Sequence, residues 1–482
     1  MADDLWALTA TALAGRLARG EVTATAVTES CLARIAQQEP LLKAFAHLDP
    51  QHALAQAREL DRRRQHGLPG GPLFGLPVGL KDIIDTADQP TEWGTPLYRG
   101  RRPRHDATVV RRLRAAGAVI LGKTVTTEFA FVHPGPTLNP RDPKRTPGGS
   151  SSGSAAGVAA GLMPLALGTQ TNGSMIRPAS FCGVFGFKPS FGLVSRAGVL
   201  NSSPTLDQMG WFARDLADIA LLADVLVGGE DPLDPATRAR AAPDFRRLLA
   251  EGSPLTPSIA VVRGHRWAEM DADGKAAFEE LAGALGPAAQ SLELPAGFAE
   301  AWEALQRIMF AEIAQSLSGA LATGAAQLSE AIKERLAEGR RVTAVQYLAA
   351  QAARARLLQE IEEVFAGFDA ILTPAAKGQA PLGLGSTGDP LYCTTWSLLG
   401  LPAISLPLLA GAEGLPIGAQ LVGAAGDDAR LLRHADWLVR QVTRPARAAP
   451  KPAAPKPAAP KPGARQAGAK TKPGTKAGAA RR

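Results

Sequence analysis

Residues 146–192 read TPGGSSSGSAAGVAAGLMPLALGTQTNGSMIRPASFCGVFGFKPSFG, and the reading of the whole chain turns on this stretch. It opens with Gly148-Gly149-Ser150-Ser151-Ser152-Gly153-Ser154 and passes through an apolar run at 155–168. A second Gly-Ser turn follows at Thr171-Asn172-Gly173-Ser174. Serines among glycines usually mark a flexible surface loop. Here the loop leads into small apolar side chains that have to be buried, and the run at 155–168 reads as one buried helix, too short to span a bilayer. Two tight turns packed on one buried segment hold hydroxyls in fixed places. The turn at 171–174 can aim successive backbone N–H groups inward, as a developing oxyanion requires.

A nucleophilic serine needs a base. Gly149-Ser150-Ser151-Ser152-Gly153 matches the GxSxG elbow, which sits between a strand and a helix and is followed by an acid and a histidine. The preceding residues 139–147, NPRDPKRTP, cannot form a central strand, and none of the seven histidines pairs with the motif. Lys81 is the better candidate. Its flanks, Gly75-Leu76-Pro77-Val78-Gly79-Leu80 and Ile83-Ile84, are apolar on both sides. In an extended segment Asp82 points away from Lys81, so the adjacent acid is not its partner. Taken alone, this segment favours an ordinary ion-paired lysine. A base must be neutral, and at the usual pKa only about one lysine in 2,500 is neutral at pH 7. Desolvation among apolar neighbours lowers that pKa.

GLPVGLKD at 75–82, DATVVRRLRAAGAVILGKTVTTEFA at 106–130 and the long stretch from Asn139 to Gly192 together resemble the amidase signature family closely. The resemblance continues more weakly from the N-terminal helices to about residue 440. It implies a single large α/β domain whose mixed central sheet is covered by helices on both faces. It also implies a Ser–cis-Ser–Lys triad. Ser174 matches the acylated nucleophile, Ser150 the bridging serine of a non-proline cis peptide, and Lys81 the base. The backbone amides of Thr171, Asn172, Gly173 and Ser174 match the oxyanion hole. The activity implied is hydrolysis of a small-molecule amide to carboxylate and ammonia or amine, and dimers are a family-level expectation.

The chain departs from the family pattern at several points. The usual Asp-x-Gly-Gly-Ser turn reads Gln170-Thr171-Asn172-Gly173-Ser174. Asn tolerates positive φ better than most residues, so the turn survives on that ground, while its side chain narrows the space beside the oxyanion hole. Ser152 replaces a common glycine. Trp396 and Ser397 precede Gly400-Leu401-Pro402, and Trp396 reads equally as pocket wall or core. A second branch of the family, the glutamine-hydrolysing subunit of an aminoacyl-tRNA amidotransferase, would need partner subunits that hold the tRNA. The Thr-Thr and Asp-x-Gly-Gly patterns expected there are replaced by Thr91-Glu92-Trp93 and by the Gln170/Asn172 turn.

Charge separates the body from the tail. Net charge is +8, yet residues 441–482 hold 11 Lys/Arg and no acid, leaving the other 440 residues at −3. A globally basic, nucleic-acid-coating protein is thereby excluded. The tail at 445–482 repeats Pro-Lys-Pro-Ala-Ala and lacks apolar periodicity, so it is expected to be disordered. A third reading, a non-catalytic polyanion binder acting through this tail, leaves Lys81, Ser150 and Ser174 unexplained. As an accessory property, the tail reads equally as a source of weak, non-specific, salt-sensitive polyanion contacts and as a solubilising extension with no partner. Three scattered cysteines and an acidic N-terminus without a signal-peptide pattern favour a reducing, cytoplasmic setting. No metal cluster, phosphate loop or dinucleotide fingerprint occurs in the sequence, so no cofactor is expected.

Residues 5–65 read as two helices, and 1–65 are expected to pack on a catalytic domain at 66–444. Within it, 70–225 is the signature core, 226–365 a helical substrate-pocket region and 366–444 a set of C-terminal strands and a helix. Expected elements are a helix at 107–116, strands at 118–121, 370–374 and 403–407, and a lone strand at 258–262 within the helical region.

Overall fold

In the computed structural model, which describes residues 4–68, 70–239 and 241–443, eleven strands join in one mixed sheet. They are β1 (Phe45–Leu48), β2 (Pro77–Lys81), β3 (Val119–Thr124), β4 (Leu165–Gln170), β5 (Phe185–Lys188), β6 (Gln208–Ala213), β7 (Ile259–Val261), β8 (Ala289–Ser291), β9 (Ala370–Pro374), β10 (Ala403–Ala410) and β11 (Pro416–Val422). The strand order is β1-β3-β2-β4-β6-β5-β10-β11-β9-β7-β8. β2 lies parallel between β3 and β4, and β7 lies parallel between β8 and β9. The remaining pairs are antiparallel.

Among the described residues, fifteen α-helices, numbered in chain order, cover this sheet. The first seven are α1 (Ala10–Arg19), α2 (Ala24–Leu42), α3 (Pro50–Gln65), α4 (Thr108–Ala115), α5 (Ser152–Ala159), α6 (Ile176–Cys182) and α7 (Leu216–Leu226). The rest are α8 (Phe245–Glu251), α9 (Ala272–Ala284), α10 (Ala301–Ser316), α11 (Ser318–Gly324), α12 (Glu330–Arg341), α13 (Ala344–Gly367), α14 (Thr394–Leu398) and α15 (Asp428–Thr443).

Strand alternation explains why helices lie on both faces. Leu165 and Leu167 of β4 join a core with Leu13 of α1, Leu113 of α4, Ile219 of α7 and Leu438 of α15. Ala166, between them, packs into a separate core with Ile35 of α2, Ala57 of α3, Ala156 of α5 and Ala179 of α6. On the other half of the sheet, Ala370 and Leu372 of β9 face the first core, while Ile371 meets Ile308 of α10, Leu336 of α12 and Leu357 of α13. A strand buried on both faces reads as a continuous apolar run. Each fully buried Leu contributes on the order of 2 kcal/mol.

That same property explains one correction. The run at 155–168 is not one helix. α5 ends at Ala159, Gly161 turns the chain at φ +74°, and β4 begins after Pro164. Short buried strands and buried helices have the same composition, and only the Gly161 and Pro164 punctuation separates them. The N-terminal region is also richer than two helices. Thr9 caps α1, Gly20 ends it in the left-handed region, and Thr23 caps α2. Lys43 at φ 53° then stops α2, β1 pairs with the sheet, and Asp49-Pro50 starts α3. Within the helical region the strand at 259–261 has a companion, β8, whose half-exposed edge position leaves little apolar signature. The tail expectation for 445–482 lies outside the described residues.

Candidate active site

β2 and β4 run parallel, so their C-terminal ends open at the same edge, the usual place for a ligand in an open α/β sheet. Lys81 is the last residue of β2 and is completely buried. Its Nζ donates to Ser150 Oγ at 2.7 Å and to Thr169 Oγ1 at 2.8 Å. Burial pulls the amine down to a pKa of about 7, against the opposing pull of the Asp207 carboxylate. Asp82 turns the other way, as strand alternation requires. Its carboxylate accepts from the Glu92 N–H at 3.1 Å and lies 3.6 Å from Lys123 Nζ.

The serine-rich loop is the opposite of a flexible linker. Residues 146–158 are all buried, and the Gly149–Ser150 peptide is cis. Ser151 Oγ donates to the Thr169 carbonyl at 3.1 Å and accepts from the Thr169 N–H at 3.2 Å. Ser154 Oγ donates to the Leu167 carbonyl at 2.8 Å. Two serines thus stitch the loop to β4, while Ser150 reaches Lys81 instead. A carbonyl in the preceding linkage, Gly149 O, accepts from Arg177 Nη2 at 2.8 Å.

Ser174 closes the turn between β4 and α6, is 9% exposed, and lines a cavity of about 620 Å³. The turn is held from three sides. Gln170 Oε1 accepts from the N–H groups of Met175 and Ile176 at 2.7 and 3.0 Å, capping the start of α6. Thr171 Oγ1 donates to Asp207 Oδ1 at 2.5 Å, and Thr394 Oγ1 donates to Asn172 Oδ1 at 2.9 Å. Ser397 Oγ donates to the Asn172 carbonyl and accepts from Gln170 Nε2. Among the described residues, the N–H groups of Thr171, Asn172, Gly173 and Ser174 have no protein acceptor. Positive φ plays no part in the turn, since neither Asn172 nor Gly173 adopts it. Asn172 is accommodated through its side-chain bond to Thr394, not by left-handed backbone.

The rest of the cavity comes from residues distant in sequence. Phe131, Trp302, Glu303, Gln306, Phe310, Arg335 and the 385–388 loop complete its wall. Arg177, one turn after Ser174, donates through Nε to the Thr387 carbonyl at 2.7 Å and through Nη2 to Thr387 Oγ1 at 3.0 Å. Its Nη1 is buried without a hydrogen-bond partner among the described residues. Trp396 is 3% exposed, packs in the α10–α13 core and borders a smaller cavity beside Tyr392, not the one at Ser174. Sequence reasoning brings together Lys81, Ser150 and the 171–174 turn. It assigns no role to Thr169 and Arg177, which lie within the 146–192 stretch, or to Ser397, and it passes over Asp207, Thr387 and Thr394, which sit in no motif with a readable spacing. For Arg177 a signal is available: a charged residue three positions after Ser174, on a helix with no exposed face.

The amidase family model matches residues 26–432. The chain belongs to the amidase family. Its enzymes hydrolyse carbon–nitrogen bonds. Among curated relatives, a glutamyl-tRNA(Gln) amidotransferase subunit from Chloroflexus aurantiacus is 38% identical, covering 90% of this chain and 96% of its own. A solved structure described as a vestigial protein complex at the origin of an s-triazine catabolic enzyme contains a chain 31% identical with a TM-score of 0.85, covering 90% of this chain and 99% of that one. The peptide amidase from Stenotrophomonas maltophilia is 31% identical with a TM-score of 0.78, covering 91% of this chain and 97% of its own. Among the described residues, no helix of this family member is long and apolar enough to cross a membrane, and no cluster of three or more His, Cys, Asp or Glu side chains could hold a metal.

Proposed function

We propose that this amidase cleaves a small polar carboxamide to carboxylate plus ammonia or amine through an acyl-enzyme on Ser174. The observation that carries the reading is Lys81. It is a fully buried amine whose hydrogen-bond partners are both hydroxyls, Ser150 Oγ at 2.7 Å and Thr169 Oγ1 at 2.8 Å. A neutral amine is satisfied there, because a hydroxyl can donate to its lone pair as readily as it accepts. In the mechanism, Lys81 takes the Ser150 proton and Ser150 takes the Ser174 proton as Ser174 Oγ attacks the amide carbon. The N–H groups of 171–174 hold the oxyanion. The relay then returns the proton to the leaving nitrogen as the C–N bond breaks. Water repeats the cycle on the ester, releasing the carboxylate and restoring Ser174.

Substrate polarity follows from the cavity, which Arg177, Arg335 and Glu303 all line. The unpartnered Arg177 Nη1 favours an amide that carries a further acceptor, a carboxylate or carbonyl. Free glutamine is one such amide. The curated relatives, 35–38% identical over most of the chain, favour the glutaminase subunit of an amidotransferase over a free-standing amidase. The turn residues Gln170 and Asn172 depart from the pattern expected of that subunit. Both readings share the chemistry at Ser174 and differ in substrate and partners.

The test is ammonia release from glutamine beside a panel of aliphatic, aromatic and ureido amides. Glutamine with the highest kcat/KM selects the amidotransferase reading, and a ureido or aliphatic amide far ahead of it selects the free-standing amidase. Failure of an active-site serine probe to label Ser174 would sink both and leave a non-catalytic role.

A further inference from the structure

Asp207 stands at the entry to β6 and is buried. Among the described residues its carboxylate takes three hydrogen bonds and forms no ion pair; burial pushes the carboxyl above its ordinary range, against the pull of those donors and of the Arg196 charge. Oδ1 accepts from Thr171 Oγ1 at 2.5 Å, and Oδ2 accepts from the N–H groups of Ser202 and Ser203 at 2.7 and 2.9 Å. Three donors converging on one carboxylate suit its ionised form. The nearby Arg196 donates to the backbone carbonyls of Pro204 and Asp207 and pairs with Asp234 at 2.9 Å, and its charge favours the ionised form of Asp207 without contacting the carboxylate. The loop carrying these donors is anchored from the far side as well. Glu312 of α10 accepts from Ser203 Oγ at 2.5 Å and from the Thr205 N–H at 3.1 Å. Tyr347 of α13 adds a 2.7 Å bond to the same Glu312. Thr171, the first residue of the turn, is therefore tied by its side chain to a buried carboxyl that is itself held by two backbone N–H groups.

We propose that Asp207 is a positioning residue for amide hydrolysis, holding the Thr171 hydroxyl and through it the N–H groups of the 171–174 turn. The inference rests on the acyl-enzyme reading above and goes further, assigning a role to a residue that does not line the cavity and has no hydrogen bond to Ser150 or Ser174. Asp207 is also the carboxylate that opposes the desolvation of Lys81. Other charged groups packed nearby are already engaged. Asp82 lies beside Lys123, Arg177 grips Thr387 and Gly149, and Glu312 takes Ser203 and Thr205. Neutralising Asp207 therefore has two separate consequences. The turn loosens, and the Lys81 amine falls further below its present value.

The experiment uses the full chain and a fluorophosphonate, which reacts at the serine without requiring the natural amide. In Asp207→Asn the phosphonylation rate constant should fall about 100-fold, the usual effect of a misplaced oxyanion donor. The rising limb of its pH profile should move to lower pH. Thr171→Val, which keeps the charge, should lower the rate similarly with the limb unmoved, and Thr171→Ser should restore most of the rate. A folded Asp207→Asn with a rate within threefold of wild type, or with an unmoved limb, overturns the proposal. If Asp207→Asn does not fold, Thr171→Val at the wild-type rate overturns it. Failure of the wild-type chain to label at Ser174 is a different result, since it removes the acyl-enzyme reading itself.

Discussion

Lys81 and Lys123 sit one register position apart on neighbouring parallel strands, where Lys123 pairs with Leu80 and Lys81 with Thr124, so they face opposite sides of the sheet, equally buried, with opposite surroundings. Lys123 Nζ donates to the Ile84 carbonyl at 2.6 Å, the Pro90 carbonyl at 3.4 Å and Thr91 Oγ1 at 2.6 Å, with the Asp82 carboxylate 3.6 Å away. Carbonyls and a carboxylate accept but never donate, so they reward the ammonium form. Burial still draws its pKa down, to about 8. Lys81 has two hydroxyls instead, which serve the neutral amine equally well, and its pKa falls to about 7. Depth is the same in both cases. The acceptors decide which lysine is an anchor and which can be a base, so a buried lysine is read by its partners and not by its burial.

The strongest way to break this contrast is to remove what the Lys81 relay serves. Ser174→Ala should fold and lose on the order of 10⁴-fold or more in amide turnover. Activity within a few-fold of wild type would mean that the relay leads elsewhere. Ser150→Ala should be nearly as severe, because the relay from Lys81 to Ser174 is then broken. Near-normal turnover in that variant would require direct contact between Lys81 and Ser174.

Exchanging the two lysines sharpens the point. Lys81→Arg keeps the charge but cannot give it up, and kcat should fall by roughly 10²–10⁴-fold, the usual worth of a general base. Lys123→Met should instead cost about 3 kcal/mol of stability, measured by urea unfolding, because Asp82 is left without its counter-charge. Its kcat/KM should stay within a few-fold of wild type. A catalytic collapse without a stability loss in Lys123→Met would erase the distinction.

A milder test needs no mutation. As the proposed base, Lys81 has to be neutral to accept a proton, and its folded pKa of about 7 lies below the ordinary lysine value. The kcat/KM profile should therefore rise with pH through about 7 and level off above it. A limb centred near pH 10 would place Lys81 among ordinary lysines. The smallest effect is expected at Asn172→Ala, which frees Thr394 and enlarges the cavity beside the turn. KM for bulkier amides should drop a few-fold with kcat nearly unchanged, and an unaltered substrate profile would show that Asn172 does not limit substrate size.

Much of the site is legible in one dimension because its chemistry depends on local backbone. The serine-rich loop, the 171–174 turn and the apolar flanks of Lys81 each lie within a few residues, and small side chains in tight turns leave a recognisable spelling. The α/β class is legible in the same way, through the helical stretch at 107–116 and the short apolar strands at 118–121, 370–374 and 403–407, whereas the mixed sheet is an expectation carried by the family resemblance. Other features are not. The run at 155–168 reads as a helix because a strand buried on both faces has no period of its own, and only the sheet pairing of β4 with β2 and β6 resolves it. The sequence by itself established which side chains could do acyl chemistry and that the body is not a polyanion-coating surface. The tertiary structure decided which lysine meets a hydroxyl and which a carboxylate, what holds Thr171, and which helices wall the cavity. Those outcomes depend on contacts such as Thr171 with Asp207 and Asn172 with Thr394, between residues 36 and 222 positions apart, and no local pattern encodes a meeting at that distance.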